Sequence, residues 1–306
     1  INNATNIDAT TATFGGNTGL AASLSQNFAI ENKIVHKIDH APLGLVRVRV
    51  ANLYVTPLSF ITPLTTIASV QRGVDAASID DIINVADGTY NGDINISKRL
   101  TVDGESTAAI LRGLYAGDAN TILVNASGVV LKDVTVTRNY GADLAAWYAS
   151  NKNQGINIQQ TMTGVIIDNV VVTGNRNGIY INNAQANTIR NSIIENNRTG
   201  VHFANNVSNS VVQNNFIRNN FTHGILFNYD TPPSLVSNNV TVNNNSITGN
   251  WYAQVNFQQN TLLPIGSSTG LSFSCNWYGT TSPTINAIMA AEPGYAAQPP
   301  SQFGGA

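Results

Sequence analysis

The sequence predicts an all-β solenoid whose coils hold about three short strands and three turns each. Two observations predict it. Four segments open with Gly and a short apolar run: Gly-Ile-Asn-Ile at 155–158, Gly-Ile-Tyr-Ile at 178–181, Gly-Val-His-Phe at 200–203 and Gly-Ile-Leu-Phe at 224–227, in steps of 23, 22 and 24 residues. Polar columns recur with nearly the same step: Asp168, Asn191, Asn214 and Asn238 in one, and Asn175, Asn197, Asn220 and Asn244 in another. β-branched and aromatic pairs such as Ile193 with Ile194 stand between the columns, and no helical period runs through the units. Equivalent residues of stacked coils lie about 4.8 Å apart, so the apolar positions become continuous inward ladders. Asn tolerates the left-handed turn conformation and can bond from coil to coil.

The elements follow in order. Residues 1–30 are small and polar, which leaves a strand, an ordered arm and a mobile arm equally open. The run at 43–55 alternates apolar residues with Arg47 and Arg49, and reads as one half-buried strand that caps the solenoid. Residues 69–77 read as a short cap helix, and 82–90, 94–97 and 100–102 as strands with turns. The division expected is an N-terminal arm with cap strands over 1–65, coils over 66–280, and a C-terminal cap and tail over 281–306.

Val-Gln-Arg-Gly-Val-Asp-Ala-Ala at 70–77, followed by Asp-Ile-Ile-Asn-Val-Ala-Asp-Gly-Thr-Tyr at 81–90, resembles the N-terminal entry of right-handed parallel β-helix proteins of the pectin-lyase-like superfamily. The later units resemble the parallel β-helix repeats of bacterial surface and periplasmic proteins of the copper-site maturation type. The resemblance spans about residues 66–280 and implies a right-handed, single-stranded parallel β-helix. It does not choose a function, because that fold carries lyases, hydrolases, epimerases, tailspikes and non-catalytic adhesins.

Further along, Asp133 begins the turn column one long step before Asp168, and the excess falls at 139–154, an insertion holding Trp147 and Tyr148. Long insertions at a solenoid turn often bind ligands, while the plainer reading packs these rings onto the coil. Asn-Trp-Tyr-Gly at 276–279 resembles the closing coil of bacterial β-helices.

Charged residues make up 10 % of the 306, the net charge is −2, and no basic patch of the kind that captures nucleic acid is present. No apolar run is long enough to cross a membrane as a helix. The single Cys275 excludes an internal disulfide and multi-cysteine zinc sites, and no cofactor or metal motif stands out. Richness in Asn, Thr, Ser and Gly suits a bacterial secreted or cell-surface protein. A start at Ile1 fits a mature or excised segment of an exported chain.

Alternation on the Gly-led strands puts Asn157, Tyr180, His202 and Leu226 in one outward column. Tyr180 and His202 are thus stacked candidates for sugar binding, with His223 and Tyr229 beside them and Trp147 and Tyr148 on the insertion; the plainer reading is an aromatic column without a ligand. The sequence shows no acidic cluster on adjacent coils, and Glu195 with Arg218 reads as a surface ion pair. Two function classes remain. The first is a non-catalytic extracellular module, structural or adhesive, assembling head to tail into a homopolymer through its end segments. The second is a carbohydrate-active enzyme, a polysaccharide lyase or epimerase, or a glycan-binding module on the same face, with a polysaccharide or cell-surface glycan as partner.

Overall fold

The short β-branched runs pair from coil to coil and sort into three parallel sheets. The computed structural model describes residues 4–114, 120–138, 154–228, 236–251, 253–257, 259 and 270–281. The first sheet has eight strands: Asn52–Val55, Ile82–Val85, Thr101–Gly104, Val130–Lys132, Ile166–Asp168, Thr188–Arg190, Val211–Gln213 and Thr241–Asn243. The second has seven, from Gly88–Asn91 through Thr135–Arg138, Val171–Thr173, Ile193–Glu195 and Phe216–Arg218 to Ser246–Thr248. The third also has seven, from Ile94–Ile96 through Gln154–Ile158, Asn177–Asn182, Thr199–Ala204 and His223–Asn228 to Ala253–Phe257. Each three-residue strand of the first and second sheets turns its middle side chain inward. Leu131, Ile167, Ile189, Val212 and Val242 form one such column, all at most 1 % exposed. In the third sheet Phe203 stacks on Phe227 at 4.7 Å and Phe227 on Phe257 at 5.6 Å. Each fully buried side chain of this size contributes about 1.5–3 kcal/mol.

The turns explain the Asn content. Between the first and second sheets one residue per coil takes the left-handed conformation: Asp133, Asn169, Asn191, Asn214, Asn244 and Cys275, at φ of 52° to 58°. The expected column therefore holds at Asp133, Asn191 and Asn214. It slips by one at Asp168, which ends the strand Ile166–Asp168 and leaves the turn to Asn169. Asn238 belongs to another corner, where it bridges Ser208. The cause is unequal coil length: Asn215 and Asn245 are stacked 30 residues apart, whereas Ser192 and Asn215 are 23 apart. The same slip carries the second column from Asn220 to Asn250 rather than Asn244.

That second column is a buried amide ladder. The backbone N–H groups of Asn175, Asn197 and Asn220 donate to the side-chain oxygens of Asn197, Asn220 and Asn250 at 3.0, 3.1 and 3.1 Å. A parallel ladder joins Ser192, Asn215, Asn245 and Asn276. At a sharp corner the backbone donor has no sheet partner, and the amide one coil away satisfies it.

Two expectations about the N-terminal region change. The run at 43–55 is not one strand: Val46–Arg47 pairs with Ile7–Asp8, Asn52–Val55 pairs with Ile82–Val85, and Ala51 at φ 56° turns the chain between them. Residues 1–30 run into a helix, α1 (Leu24–Glu31), closed by a capping box between Ser23 and Gln26. That Ser-x-x-Gln spacing was the available signal. Phe28 of α1 meets Tyr54 edge-on at 5.8 Å, which seats the helix on the first strand of the first sheet. His36 ties this region internally. Val46 N–H donates to its Nδ1, so the ring is neutral there and its Nε2–H donates to Glu31 at 2.6 Å. The expected cap helix is present as α2 (Val70–Ala76), with Val70 and Val74 buried.

Candidate functional site

Residues 139–153 precede the strand Gln154–Ile158, and residues 229–235 follow His223–Asn228. Trp147, Tyr148 and Tyr229 fall in these connections, outside the described residues. The outer face of the third sheet is set by strict parallel register. Its outward column runs Asn95, Leu123, Asn157, Tyr180, His202, Leu226 and Asn256. The stacking expected of Tyr180 and His202 is present: the half-buried rings meet edge-to-face, with centroids 5.0 Å apart. Leu226 and Asn256 are buried, at 4 % and 0 % exposure, so the column is accessible only in part.

His223 is placed differently from expectation. It opens the strand His223–Asn228 between Thr199 and Ala253 and is fully buried, so it offers no surface to a ligand. Its Nε2 accepts from the Asn256 side-chain amide at 2.9 Å, which requires a neutral ring with its proton on Nδ1. Burial, followed by the nearby Arg198 and His202, pushes its pKa down to about 3.

The first sheet holds what sequence reading missed. Its outward column brings Asp103, Lys132, Asp168 and Arg190 onto successive coils, so carboxylates do gather on one face. The signal was present in the strand spacing, but their partners lie 22 to 36 residues apart and become visible only through the register. Lys132 Nζ reaches Asp103 at 2.7 Å and Asp133 at 3.6 Å, and Arg190 reaches Asp168 at 2.8 Å. Desolvation alone would lower the Lys132 pKa. The hydrogen bond and charge of Asp103, then of Asp133, outweigh it and raise the pKa above the ordinary lysine value. Asp168 is pulled below the usual carboxylate range because the bonds from Arg190 and Asn191 overcome its desolvation. Asp103 is raised, chiefly by burial. Glu195 and Arg218 form the expected surface pair at 2.7 Å, worth about 0–1 kcal/mol.

Chemically, a lysine held protonated is a poor proton acceptor at neutral pH, and an ionised aspartate clamped by arginine is a poor proton donor. Among the described residues no three His, Cys, Asp or Glu side chains converge as metal ligands.

Residues 120–277 match the family described as right handed beta helix region. The chain belongs to this family. The winding of the β-helix is accordingly right-handed, with parallel strands in all three long sheets. Among solved structures, the pectate lyase Pel9A is similar with a TM-score of 0.50 at 16 % identity, covering 74 % of this chain and 57 % of the lyase chain. The pectin methylesterase from Aspergillus niger gives a TM-score of 0.47 at 13 % identity over 80 % of this chain and 92 % of its own. The Agl-KA catalytic domain gives 0.46 at 19 % identity over 68 % and 40 %. At these identities the likeness establishes the fold alone. No curated protein matches the sequence significantly.

Proposed function

We propose that this β-helix is a non-catalytic module of an extracellular surface protein, with a structural and adhesive role. One observation carries the reading. The carboxylates and cations of the first sheet are spent on one another, from Asp103 through Lys132 to Asp133 and from Asp168 to Arg190. The described outward column of the third sheet offers amides, Leu, Tyr and His. Ladders of this kind lock coils together, which suits a stiff scaffold.

The extracellular setting rests on composition, with only 10 % charged residues in an Asn- and Thr-rich chain. Among the described residues no helix is long and apolar enough to cross a membrane. Head-to-tail assembly through the end segments stays part of the reading: Asn52–Val55 is the terminal strand of the first sheet and, among the described residues, has Ile82–Val85 as its one strand neighbour.

The test is turnover. Incubated with polygalacturonate, alginate and α-1,3-glucan, the protein is expected to release neither unsaturated products nor reducing ends above a blank. Turnover that disappears in Lys132→Ala or Asp168→Asn protein overturns the proposal and makes the first sheet an active face.

A further inference from the structure

The outer face of the second sheet carries two columns side by side, because residues two apart in a strand leave the same face. One column is largely apolar: Val171, Ile193, Phe216, Ser246 and, through a bridge beyond the last strand, Trp277. The other is polar: Thr173, Glu195, Arg218 and Thr248. Phe216 and Trp277 are 50 % and 51 % exposed, although a large aromatic ring is costly to leave in water. They stand two coils apart with Ser246 between them, a separation of about 10 Å along the axis. The Arg218 guanidinium lies 5.6 Å from the Phe216 ring centroid and donates to Glu195 at 2.7 Å, so the polar column carries no net charge here.

We propose that this face binds a linear, uncharged polysaccharide lying along the solenoid axis. Sugar faces stack on Phe216 and Trp277, and ring hydroxyls bond to Glu195, Arg218 and Thr248. A sugar ring is amphipathic, with a C–H face and a rim of hydroxyls, and a linear chain repeats both in register. An apolar column beside a neutral polar column, running the same way, is complementary to that shape and charge. A protein partner fits less well, because a stable interface buries about 800 Å² per side and this stripe is one side chain wide. An acidic glycan would need surplus cations, and the Arg218 charge is met by Glu195. The inference deepens the adhesive-module reading and rests on it, and it uses a different sheet from Tyr180 and His202.

The experiment is retention of the full chain on insoluble cellulose, curdlan and α-1,3-glucan, with affinity electrophoresis in xylan, alginate and polygalacturonate. Binding to at least one neutral glycan is expected. Phe216→Ala and Trp277→Ala should each weaken it about tenfold, the scale of one lost stacking contact. Trp277→Phe should restore most of it, and Gln213→Ala, on the first sheet, should bind as the unaltered protein does. Circular dichroism and melting establish that the variants fold. Binding to none of the neutral glycans, binding only to the acidic ones, or equal binding by both alanine variants overturns the inference. Shortened chains recovered from the bound glycan would instead overturn the non-catalytic reading and leave the platform standing.

Discussion

At the residue scale, His223 shows how the solenoid uses a titratable group without exposing it. The ring is buried, accepts a hydrogen bond from Asn256, and has its pKa pushed down to about 3 from the ordinary 6.5. The sign of the consequence follows. Above pH 6.5 the ring is neutral in both folded and unfolded chains, and the fold bears no penalty. Between 6.5 and about 3 the unfolded chain takes up a proton that the folded chain refuses, so stability falls as pH falls. One such group contributes about 1.4 kcal/mol of loss per pH unit in that window. In His223→Gln, which keeps an acceptor for Asn256, this component is absent. The unaltered protein should therefore lose more melting temperature than the variant between pH 7 and pH 4. Parallel curves for the two proteins would show that His223 titrates as it does in water. Nothing in the local sequence distinguishes this buried His from the half-buried His202, because burial is fixed by which coil covers which.

At the element scale, the Gly-led strand is the unit that the sequence made legible. Four strands of the third sheet carry a Gly near their start, where the backbone passes close to the next coil. A Cβ on Gly200 would sit 2.5 Å from the carbonyl oxygen of Gly224, 2.9 Å from the Asn220 side-chain amide and 3.1 Å from Ile217. Gly155, Gly178 and Gly224 meet the same crowding. Gly200→Ala must therefore displace backbone or break the amide ladder. A loss of about 1–3 kcal/mol in chemical denaturation is expected, against less than about 0.5 for the half-exposed Gln213→Ala. A Gly200→Ala protein as stable as its parent would mean that the stack yields at this corner. Signals of this kind are local: a Gly, an alternating apolar run and an Asn turn all lie within a few residues. Features that depend on register were not legible. A constant period cannot survive the 30-residue coil, so Asn238 was aligned where Asn244 belongs, and the pairing of Lys132 with Asp103 stayed hidden until the strands were stacked. Helix α1 was missed for another reason: with only Phe28 and Ile30 as large side chains sealed inside, its apolar face is too short to show a period.

At the scale of the molecule, a stack of coils has ends, and the N-terminal end is closed by α2. Val70 and Val74 press on the first coil at 2 % and 0 % exposure. Arg72 then ties the helix to the surrounding chain, donating through Nε to the carbonyl of Ile38 at 2.6 Å and through one terminal nitrogen to the carbonyls of Ser59 and Ile67, both at 2.7 Å. A planar fork reaches three acceptors from one position, which an ammonium on a flexible stem does poorly. Coils contact chiefly their neighbours, so stability should be a sum of coil and interface contributions, and damage at the cap should spread from that end. Arg72→Ala leaves two partly buried carbonyls and one exposed carbonyl without their donor and is expected to cost about 2–4 kcal/mol, with Arg72→Lys between it and the parent. Hydrogen exchange followed by mass spectrometry gives the direction of spread. Amides of Ile82–Val85 and Thr101–Gly104 should lose protection first, while those of Thr188–Arg190 and Val211–Gln213 keep theirs. Protection lost evenly along the first sheet would mean that all coils unfold as one unit. The cap would then act on the whole stack at once, and the nearest-neighbour description of this β-helix would be wrong.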